Sequence, residues 1–243
     1  LMRILDCYLV PYYWKEGMDP ISDLMIADLA TSIEPLFMFA LVWSVGGTTD
    51  SEGRLKFSAW LRNEMYANKC AWLFPKEDTV YDYLFILENK KWGKWNDIVD
   101  KYEIDPKASF SEIIVPTKDS IRNTFLIDLL MPVGKHVLMV GQTGTGKTIN
   151  ISQYLMGTSV KVQGRSISPM VVPLTLTFSA NTSANMTQDQ LDSKMDKRKK
   201  GVYGPPAGKQ FYVYVDDLNM PKRETYGAQP PIEILRQWFG QGG

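Results

Sequence analysis

The sequence has 243 residues, of which 44% are apolar and 22% are charged, and its 27 basic and 27 acidic residues give a net charge of zero. This composition is typical of a folded domain, and it excludes a disordered tail, a collagen-like repeat and a disulfide-stabilised miniprotein. A protein whose main task is to bind DNA or RNA carries an excess of basic residues, so no nucleic-acid partner is expected. A neutral chain also has little electrostatic protection against self-association, which favours part of a larger assembly.

The cysteine content and the apolar stretches indicate a compartment. The two cysteines, Cys7 and Cys70, lie far apart and form no C-x-x-C pair, which is typical of a reducing compartment. The longest apolar stretch, residues 36–45, is shorter than the about 20 residues that a membrane-spanning helix needs, and no signal-peptide pattern opens the chain. We therefore expect a cytosolic-type protein without a membrane segment. Because neither end of the sequence looks like a natural terminus, we expect a fragment.

Residues 1–108 are predicted to be mainly helical. The spacing of apolar residues favours one helix over 20–30, a second that Pro35 opens and the Gly46-Gly47 pair ends, and a third over 53–68. Three tryptophans then lie in a region predicted to form a two-stranded ribbon with its turn near 89–93. Residues 104–107 are predicted to be a linker.

Residues 109–243 alternate predicted strands and helices, which favours an α/β fold with a parallel sheet and flanking helices. Thr117 is predicted to cap a helix that ends near residue 131. Strands are predicted over 136–140, 171–180 and 211–215, and further helices over 148–156, 187–199 and 231–239.

Residues 141–148 match the phosphate-loop pattern G-x-x-x-x-G-K-[ST] in full, between a predicted strand and a predicted helix. Glycine lets the backbone approach a polyphosphate, and the amides of residues 144–148 can converge on its β-phosphate. Lys147 is predicted to contact the β and γ oxygens, and the Thr148 hydroxyl to bind Mg²⁺. A glycine-rich turn without a ligand is the alternative. The loop consists of Gly141, Gln142, Thr143, Gly144, Thr145, Gly146, Lys147 and Thr148.

Two acids, Asp216 and Asp217, follow an apolar strand. An acid at this position is typical of a Walker B residue, so Asp216 is predicted to hold Mg²⁺. Asp217 is predicted to orient or deprotonate the attacking water. Active ATPases of this layout commonly carry Glu there, and Asp is shorter by one C–C bond of about 1.5 Å. We therefore expect hydrolysis to be slow or absent, because a general base must reach the water. A solvated strand end is the alternative.

Beside the phosphate loop, the chain contains four longer motifs: Phe178-Ser-Ala-Asn-Thr-Ser-Ala184, Asp192-Ser-Lys-Met-Asp-Lys-Arg-Lys-Lys-Gly-Val-Tyr-Gly-Pro-Pro206, Val215-Asp-Asp-Leu-Asn-Met-Pro221 and Tyr226-Gly-Ala-Gln-Pro-Pro-Ile-Glu-Ile-Leu-Arg-Gln-Trp238. Together with the phosphate loop they resemble the third AAA+ module of the dynein heavy chain in its axonemal form. Residues 37–47 resemble the end of the second module. The resemblance covers nearly the whole chain and implies a P-loop AAA+ large subdomain over 109–243, preceded by the C-terminal part of the second module over 1–108.

The resemblance implies a module that binds ATP or ADP with Mg²⁺ and regulates a minus-end-directed microtubule motor of the ciliary or flagellar axoneme. It places Val115, Pro116 and Thr117 beside the adenine. The implied partners are neighbouring AAA+ modules, microtubules, and dynein intermediate and light chains. A structural spacer with little or no hydrolysis is the alternative. In the family, sensor 1, the lid of this module and the arginine finger lie beyond residue 243 or in another module, so we expect this fragment to be a poor ATPase.

The basic run at residues 197–200 is interpreted as a solvated, charged helix end, because acidic residues precede it in the same predicted helix. Residues 201–208 are predicted to form a rigid hairpin or loop that contacts a neighbouring module. A free-standing P-loop kinase or GTPase is disfavoured, since the chain has no arginine cluster for a substrate phosphate and no guanine-binding Asn-Lys-x-Asp motif.

Overall fold

A computed structural model describes residues 1–9, 22–97, 114–157 and 167–241. The chain divides into two compact units, residues 1–150 with 159–165 and residues 151–158 with 166–243, and each is described by itself. The predicted linker over 104–107 and the predicted boundary at residue 108 lie outside the described residues.

The first unit is built from helices and one antiparallel ribbon. Its helices are α1 (Met2–Leu9), α2 (Asp23–Ser44), α3 (Ser51–Ala67) and α4 (Lys118–Leu130), and its strands are β1 (Tyr83–Ile86) and β2 (Lys91–Lys94). Short 3₁₀ helices lie at Gly46–Thr48, Val80–Asp82, Trp95–Asp97 and Met131–Val133. The predicted two-stranded ribbon is confirmed, because β1 and β2 pair antiparallel. Its turn lies at residues 87–90, earlier than the predicted 89–93, since residues 91–93 belong to β2.

Helix α2 is one continuous helix, so the prediction that Pro35 opens a second helix was wrong. A proline inside a helix removes one backbone hydrogen bond at a cost of about 3 kcal/mol. Burial of Leu36 and Phe39 just after it offsets this cost, since each contributes about 1.5–3 kcal/mol. The Ser22 hydroxyl caps the N-terminus of α2 by accepting a hydrogen bond from the Met25 N–H at 3.3 Å.

The apolar segment was also predicted to be too short to cross a membrane, and this estimate of its length was wrong. Among the described residues, one helical stretch, Met25–Thr48, is long and apolar enough by length and composition. Ser32, Leu36, Phe39 and Ala40 of this stretch are buried inside the first unit. The burial is partial, because 33% of the apolar window of this stretch is buried, and Ile26 and Phe37 are exposed.

The predicted helix over 53–68 is confirmed as α3, which begins after the N-cap residue Asp50. Among its apolar residues, Leu61 and Met65 are buried, whereas Leu55 and Trp60 are exposed. The helix therefore buries a narrower face than its apolar content predicted. Helix α4 follows the prediction closely, with Thr117 as N-cap and Ile121, Phe125 and Leu129 buried.

Aromatic side chains form the centre of the first unit. Trp95 is fully buried, and its ring lies 5.4 Å from that of Phe125 on α4 and 6.3 Å from that of Phe39 on α2, between centroids. Its indole N–H donates to the Tyr81 carbonyl at 2.8 Å. One core therefore joins the ribbon, α2 and α4. The buried members of this cluster are Ile4, Leu5, Cys7, Tyr8, Leu36, Phe39, Ala40, Leu84, Trp95, Ile121, Phe125 and Leu129.

The second unit contains a parallel strand pair, which confirms the predicted α/β class. Strands β3 (Val171–Thr177) and β6 (Gln210–Asp216) pair in parallel, with Leu174 opposite Val213. Leu174, Leu176 and Phe178, which alternate with polar residues, are buried. Helix α5 (Lys147–Leu155) leads into this unit, and α6 (Ala184–Asp192) and α7 (Pro230–Gln241) complete its helices. Leu191 and Leu235 of these helices join the core of the strand pair.

The predicted helix over 187–199 was wrong at both ends. Helix α6 begins earlier, with the Ser183 side chain as its cap, and ends at Asp192. Residues 196–199 instead form strand β4 (Asp196–Lys199), which pairs antiparallel with β5 (Val202–Gly204). The charged residues after Asp192 have no apolar periodicity that would bury one face of a longer helix. Gly201 adopts φ +76°, which allows the tight turn between β4 and β5.

Arg62 holds a loop that has no regular secondary structure. Its guanidinium donates hydrogen bonds to the backbone carbonyls of Phe74, Pro75, Glu77 and Asp78. Arg62→Ala should lower the free energy of unfolding by about 1.5–3 kcal/mol, because hydrogen bonds from a charged donor are lost together. Urea unfolding followed by tryptophan fluorescence measures this, since six of the seven tryptophans precede residue 96.

Lys56→Ala is the matched control for Arg62→Ala. Its ion pair with Glu52 is on the surface, with both side chains 75% exposed, so its loss should cost about 0.5 kcal/mol or less. Equal effects of the two substitutions would contradict the role assigned to Arg62.

Asp82 is a buried carboxylate with three donors. Burial alone would raise the pKa of its carboxyl, but hydrogen bonds from Lys118 Nζ (2.5 Å) and from the Thr79 hydroxyl (2.6 Å) and N–H (2.9 Å) lower that pKa below the ordinary value. Because the pKa is lower in the folded state, the charged form stabilises the fold above about pH 4, and this contribution is lost as the pH falls through the folded pKa.

Asp82→Asn should therefore lower the melting temperature at about pH 7 and make stability less sensitive to acid. The difference from wild type should hold down to about pH 5 and shrink below about pH 4, which thermal unfolding over a pH series measures. Asp97→Asn, at an exposed aspartate of the same unit, is the control. A difference that persists unchanged at about pH 3 would contradict this account.

Candidate nucleotide-binding site

The glycine-rich segment 141–148 forms a turn that leads into helix α5, as the motif predicted. Gly144 and Gly146 have φ angles of +82° and +76°, in the left-handed region that favours glycine. A Cβ added at either position would meet nothing within 4 Å, so the backbone conformation rather than lack of space requires glycine there. The helix begins at Lys147, which places its first backbone amides at the turn.

Lys147 is held by the loop itself. Its Nζ donates to the Gly141 carbonyl at 2.9 Å and to the Gln142 carbonyl at 2.6 Å, and it lies 3.4 Å from Thr145 Oγ1. The Thr145 hydroxyl in turn donates to the Gln142 carbonyl at 2.9 Å. The ammonium group is thus positioned next to the helix N-terminus, where a cation and backbone amides together favour an anionic ligand.

The strand predicted over 136–140 is not formed, and this prediction was wrong. No residue of this segment belongs to a strand, and Leu138 and Val140 are 72% and 86% exposed. A β-strand forms only where a neighbouring strand completes its backbone hydrogen bonds. A continuous apolar run indicates that burial in a sheet would be favourable, but it does not show that a neighbouring strand is available. Within the described part of the first unit, the only strand pair is β1 with β2.

The segment predicted to lie beside the adenine leads into helix α4. Val115 is 63% exposed and Pro116 is half-buried. Thr117 caps the helix: its Oγ1 accepts from the Ser120 N–H at 3.2 Å, and its own N–H donates to Ser120 Oγ at 2.8 Å. The Thr117 side chain therefore fixes the backbone of this segment. A contact of these residues with adenine stays a prediction.

The predicted acidic pair lies at the carboxyl end of β6. Asp216 is the last residue of the strand, opposite Thr177, and its carbonyl accepts from the Phe178 N–H at 3.1 Å. Its Oδ1 accepts from the Asp217 N–H at 3.1 Å, and Asp217 is exposed. Asp217 has φ +53°, a left-handed conformation that costs a non-glycine residue about 1–2 kcal/mol. Such conformations are concentrated at functional sites.

Two side chains of the predicted magnesium site carry oxygen donors. Mg²⁺ is commonly bound by one or two protein oxygens together with substrate phosphates and water, so the Thr148 hydroxyl and the Asp216 carboxylate are each suitable ligands by their chemistry, and their binding of one ion stays a prediction. The described residues contain no cluster of three or more His, Cys, Asp or Glu side chains that could hold a metal ion. The phosphate loop belongs to the first unit and Asp216 to the second.

Two features of the site were missed from the sequence. The left-handed backbone of Asp217 gives no signal in the residue pattern, because aspartate is also common in ordinary loops. The carbonyls of Gly141 and Gln142 that hold Lys147 are backbone groups, which every residue carries. Only the motif's fixed spacing between Gly141 and Lys147 could have indicated that contact.

Comparison with protein families gives two matches that together cover most of the chain. Residues 102–243 match the P-loop containing dynein motor region, and residues 1–97 match the dynein heavy chain AAA lid domain.

Similar proteins include dynein axonemal heavy chain 1 of Homo sapiens, 43% identical over the whole chain, and dynein axonemal heavy chain 12 of Rattus norvegicus, 43% identical over 85% of it. Dynein axonemal heavy chain 3 of Mus musculus is 36% identical over 94% of the chain. The chain spans only 6–7% of the length of these relatives. The resemblance that the motifs indicated is confirmed, and the chain belongs to the dynein heavy chain family.

Proposed function

We propose that the chain forms the nucleotide-binding part of the third AAA+ module of an axonemal dynein heavy chain, preceded by the end of the second module. In this proposal residues 1–108 are the C-terminal part of the preceding module with its linker, and residues 109–243 are the nucleotide-binding core. The order of the two family matches, a lid domain before a P-loop region, supports this arrangement. The motifs after residue 178 support the third position in the ring.

The observation that carries the proposal is the geometry of the phosphate loop. The Lys147 ammonium donates hydrogen bonds to carbonyls of its own loop, next to the first turn of α5. Gly144 and Gly146 adopt left-handed conformations, with which we expect the backbone amides of the loop to face a phosphate. We expect ATP or ADP to bind there, with residues 141–148 around the phosphates and 115–117 beside the adenine. A bound Mg²⁺ would neutralise phosphate charge, held by the Thr148 hydroxyl and the Asp216 carboxylate.

The biological setting that we propose is supported by the relatives, whose names are those of axonemal dynein heavy chains. The chain is then part of a minus-end-directed microtubule motor in the ciliary or flagellar axoneme, and its nucleotide state regulates that motor. Its partners are neighbouring AAA+ modules of the same heavy chain, microtubules through the complete motor, and dynein intermediate and light chains.

Lys147→Ala tests the nucleotide site. The substitution removes the cation beside the phosphates, so the dissociation constant for ADP should rise at least about tenfold, which corresponds to about 1.4 kcal/mol. Fluorescence titration of a protein that contains the complete module, wild type against variant, measures this. Lys135→Ala, which removes a lysine that precedes the loop, is the matched control and should leave the affinity unchanged. Indistinguishable affinities for wild type and Lys147→Ala would refute the nucleotide site.

Substitution of Asp217 distinguishes a slow ATPase from a structural spacer. The shorter side chain of Asp217 favours weak hydrolysis, and if reach alone limits the rate, Asp217→Glu in the complete module should raise turnover about tenfold or more. Asp217→Asn is the control, because asparagine tolerates the left-handed backbone and has no carboxylate. Steady-state phosphate release at saturating ATP measures turnover. An unchanged rate in Asp217→Glu, with an unchanged melting temperature, would favour the spacer.

A further inference from the structure

The feature that the nucleotide site does not use is the basic hairpin, defined as residues 194–204 with strands β4 and β5. Its first seven residues contain five basic side chains and one acidic side chain, in a chain whose net charge is zero. The sequence pattern was interpreted as a charged helix end, neutralised by acids in the same helix. The structure removes that basis, because α6 ends at Asp192 and the basic residues lie on a separate ribbon.

The basic side chains of the hairpin are exposed and have no acidic partner. Every residue of β4 is exposed, and among the described residues no ion pair involves Lys197, Arg198, Lys199 or Lys200. The nearest acid on the helix, Asp192, accepts a hydrogen bond from Gln188 Nε2 at 2.8 Å. The positive charge of the hairpin is therefore not neutralised within the described part of this unit.

The hairpin has a defined backbone, so its charges are held in place. Lys197 pairs with Tyr203 and Lys199 with Val202, and the register shifts at Arg198, which is the extra residue of a bulge. The Arg198 guanidinium donates to the Pro205 carbonyl, just past the end of β5. Gly201 closes the turn. Long side chains on such a ribbon lose less conformational freedom on binding than they would on an unstructured tail.

Electrostatics makes this arrangement unfavourable without a partner. Residues along a strand are about 3.4 Å apart, so the charges of β4 and its turn lie within about one Debye length of 8–10 Å and repel each other. A surface that carries clustered carboxylates would relieve this repulsion and would also steer the encounter. The partners of the two lysines across the ribbon, Val202 and Tyr203, are 41% and 55% exposed. They add an apolar contact at the centre of the charged patch.

We infer that the basic hairpin is a docking surface for an acidic protein surface elsewhere in the same heavy chain. The mixture of cations with an exposed tyrosine and valine fits a protein partner, and the zero net charge of the chain disfavours a nucleic acid. The same heavy chain is the source that we assign, because this chain spans only about 6% of the relatives' length and the remainder is tethered to it. This inference is independent of nucleotide binding.

Zero-length carbodiimide coupling of the full heavy chain tests the inference, because it joins a lysine only to a carboxylate in direct contact. Peptide mapping should find Lys197, Lys199 and Lys200 coupled to carboxylates of the same polypeptide outside these 243 residues. The frequency should be at least about fivefold higher than at two other exposed lysines, Lys69 and Lys222, and should fall in about 0.5 M salt.

Paired substitutions sharpen the test. Coupling at Lys200 should fall in the Lys197→Gln, Lys199→Gln variant and stay unchanged in the Lys69→Gln, Lys222→Gln variant, which removes the same charge. Equal coupling at hairpin and control lysines would overturn the inference, as would coupling of the hairpin to a different polypeptide. Binding of a labelled single-stranded oligonucleotide that the hairpin variant abolishes would also overturn it, in favour of a nucleic-acid surface.

Discussion

The burial of Trp95 is the constraint on which the first unit depends. Its ring contacts Phe39 of α2 and Phe125 of α4, and its indole N–H is satisfied by a backbone carbonyl, so the largest side chain in this core is buried without an unmet polar group. Through this one residue the segment that matches the lid family is packed against the first helix of the segment that matches the motor family. Helix α4, and with it the turn at Thr117, is oriented by the lid's aromatic core.

The contact between these two family segments is also electrostatic. Asp82 of the lid segment and Lys118 at the start of α4 form an ion pair at 2.5 Å, in which the carboxylate is largely buried and the ammonium half exposed. Such a pair is worth more than a surface pair because the carboxylate also accepts from Thr79, which satisfies it fully. Family boundaries in sequence and compact units in space therefore do not coincide here, since the first unit continues to residue 150.

Local chemistry made much of the fold predictable. Thr117 predicts the start of α4 because capping is a local interaction. The alternation of apolar and polar residues in β3 predicts which face of the strand is buried. The failures are non-local. Whether a helix continues through Pro35 depends on what Leu36 packs against, and whether residues 136–140 form a strand depends on a partner elsewhere in the chain. The phosphate loop was predictable because its spacing encodes its function, whereas the backbone strain at Asp217 was not.

Arg62 holds a loop through hydrogen bonds to backbone carbonyls, not to the side chains of that loop. The guanidinium binds only backbone carbonyls of residues 74–78, while the side chains of Glu77 and Asp78 face Lys94 in exposed ion pairs at 3.0 Å that contribute little. The Glu77 side chain therefore contributes little to holding the loop, whereas Asp78 has φ +51°, a backbone conformation in which aspartate and asparagine are favoured over other non-glycine residues. An insertion or deletion in the same segment would move the carbonyls out of hydrogen-bonding distance of the Arg62 guanidinium. Arg62 therefore constrains the length of the loop, while the burial of Phe74 and the left-handed backbone of Asp78 constrain its composition.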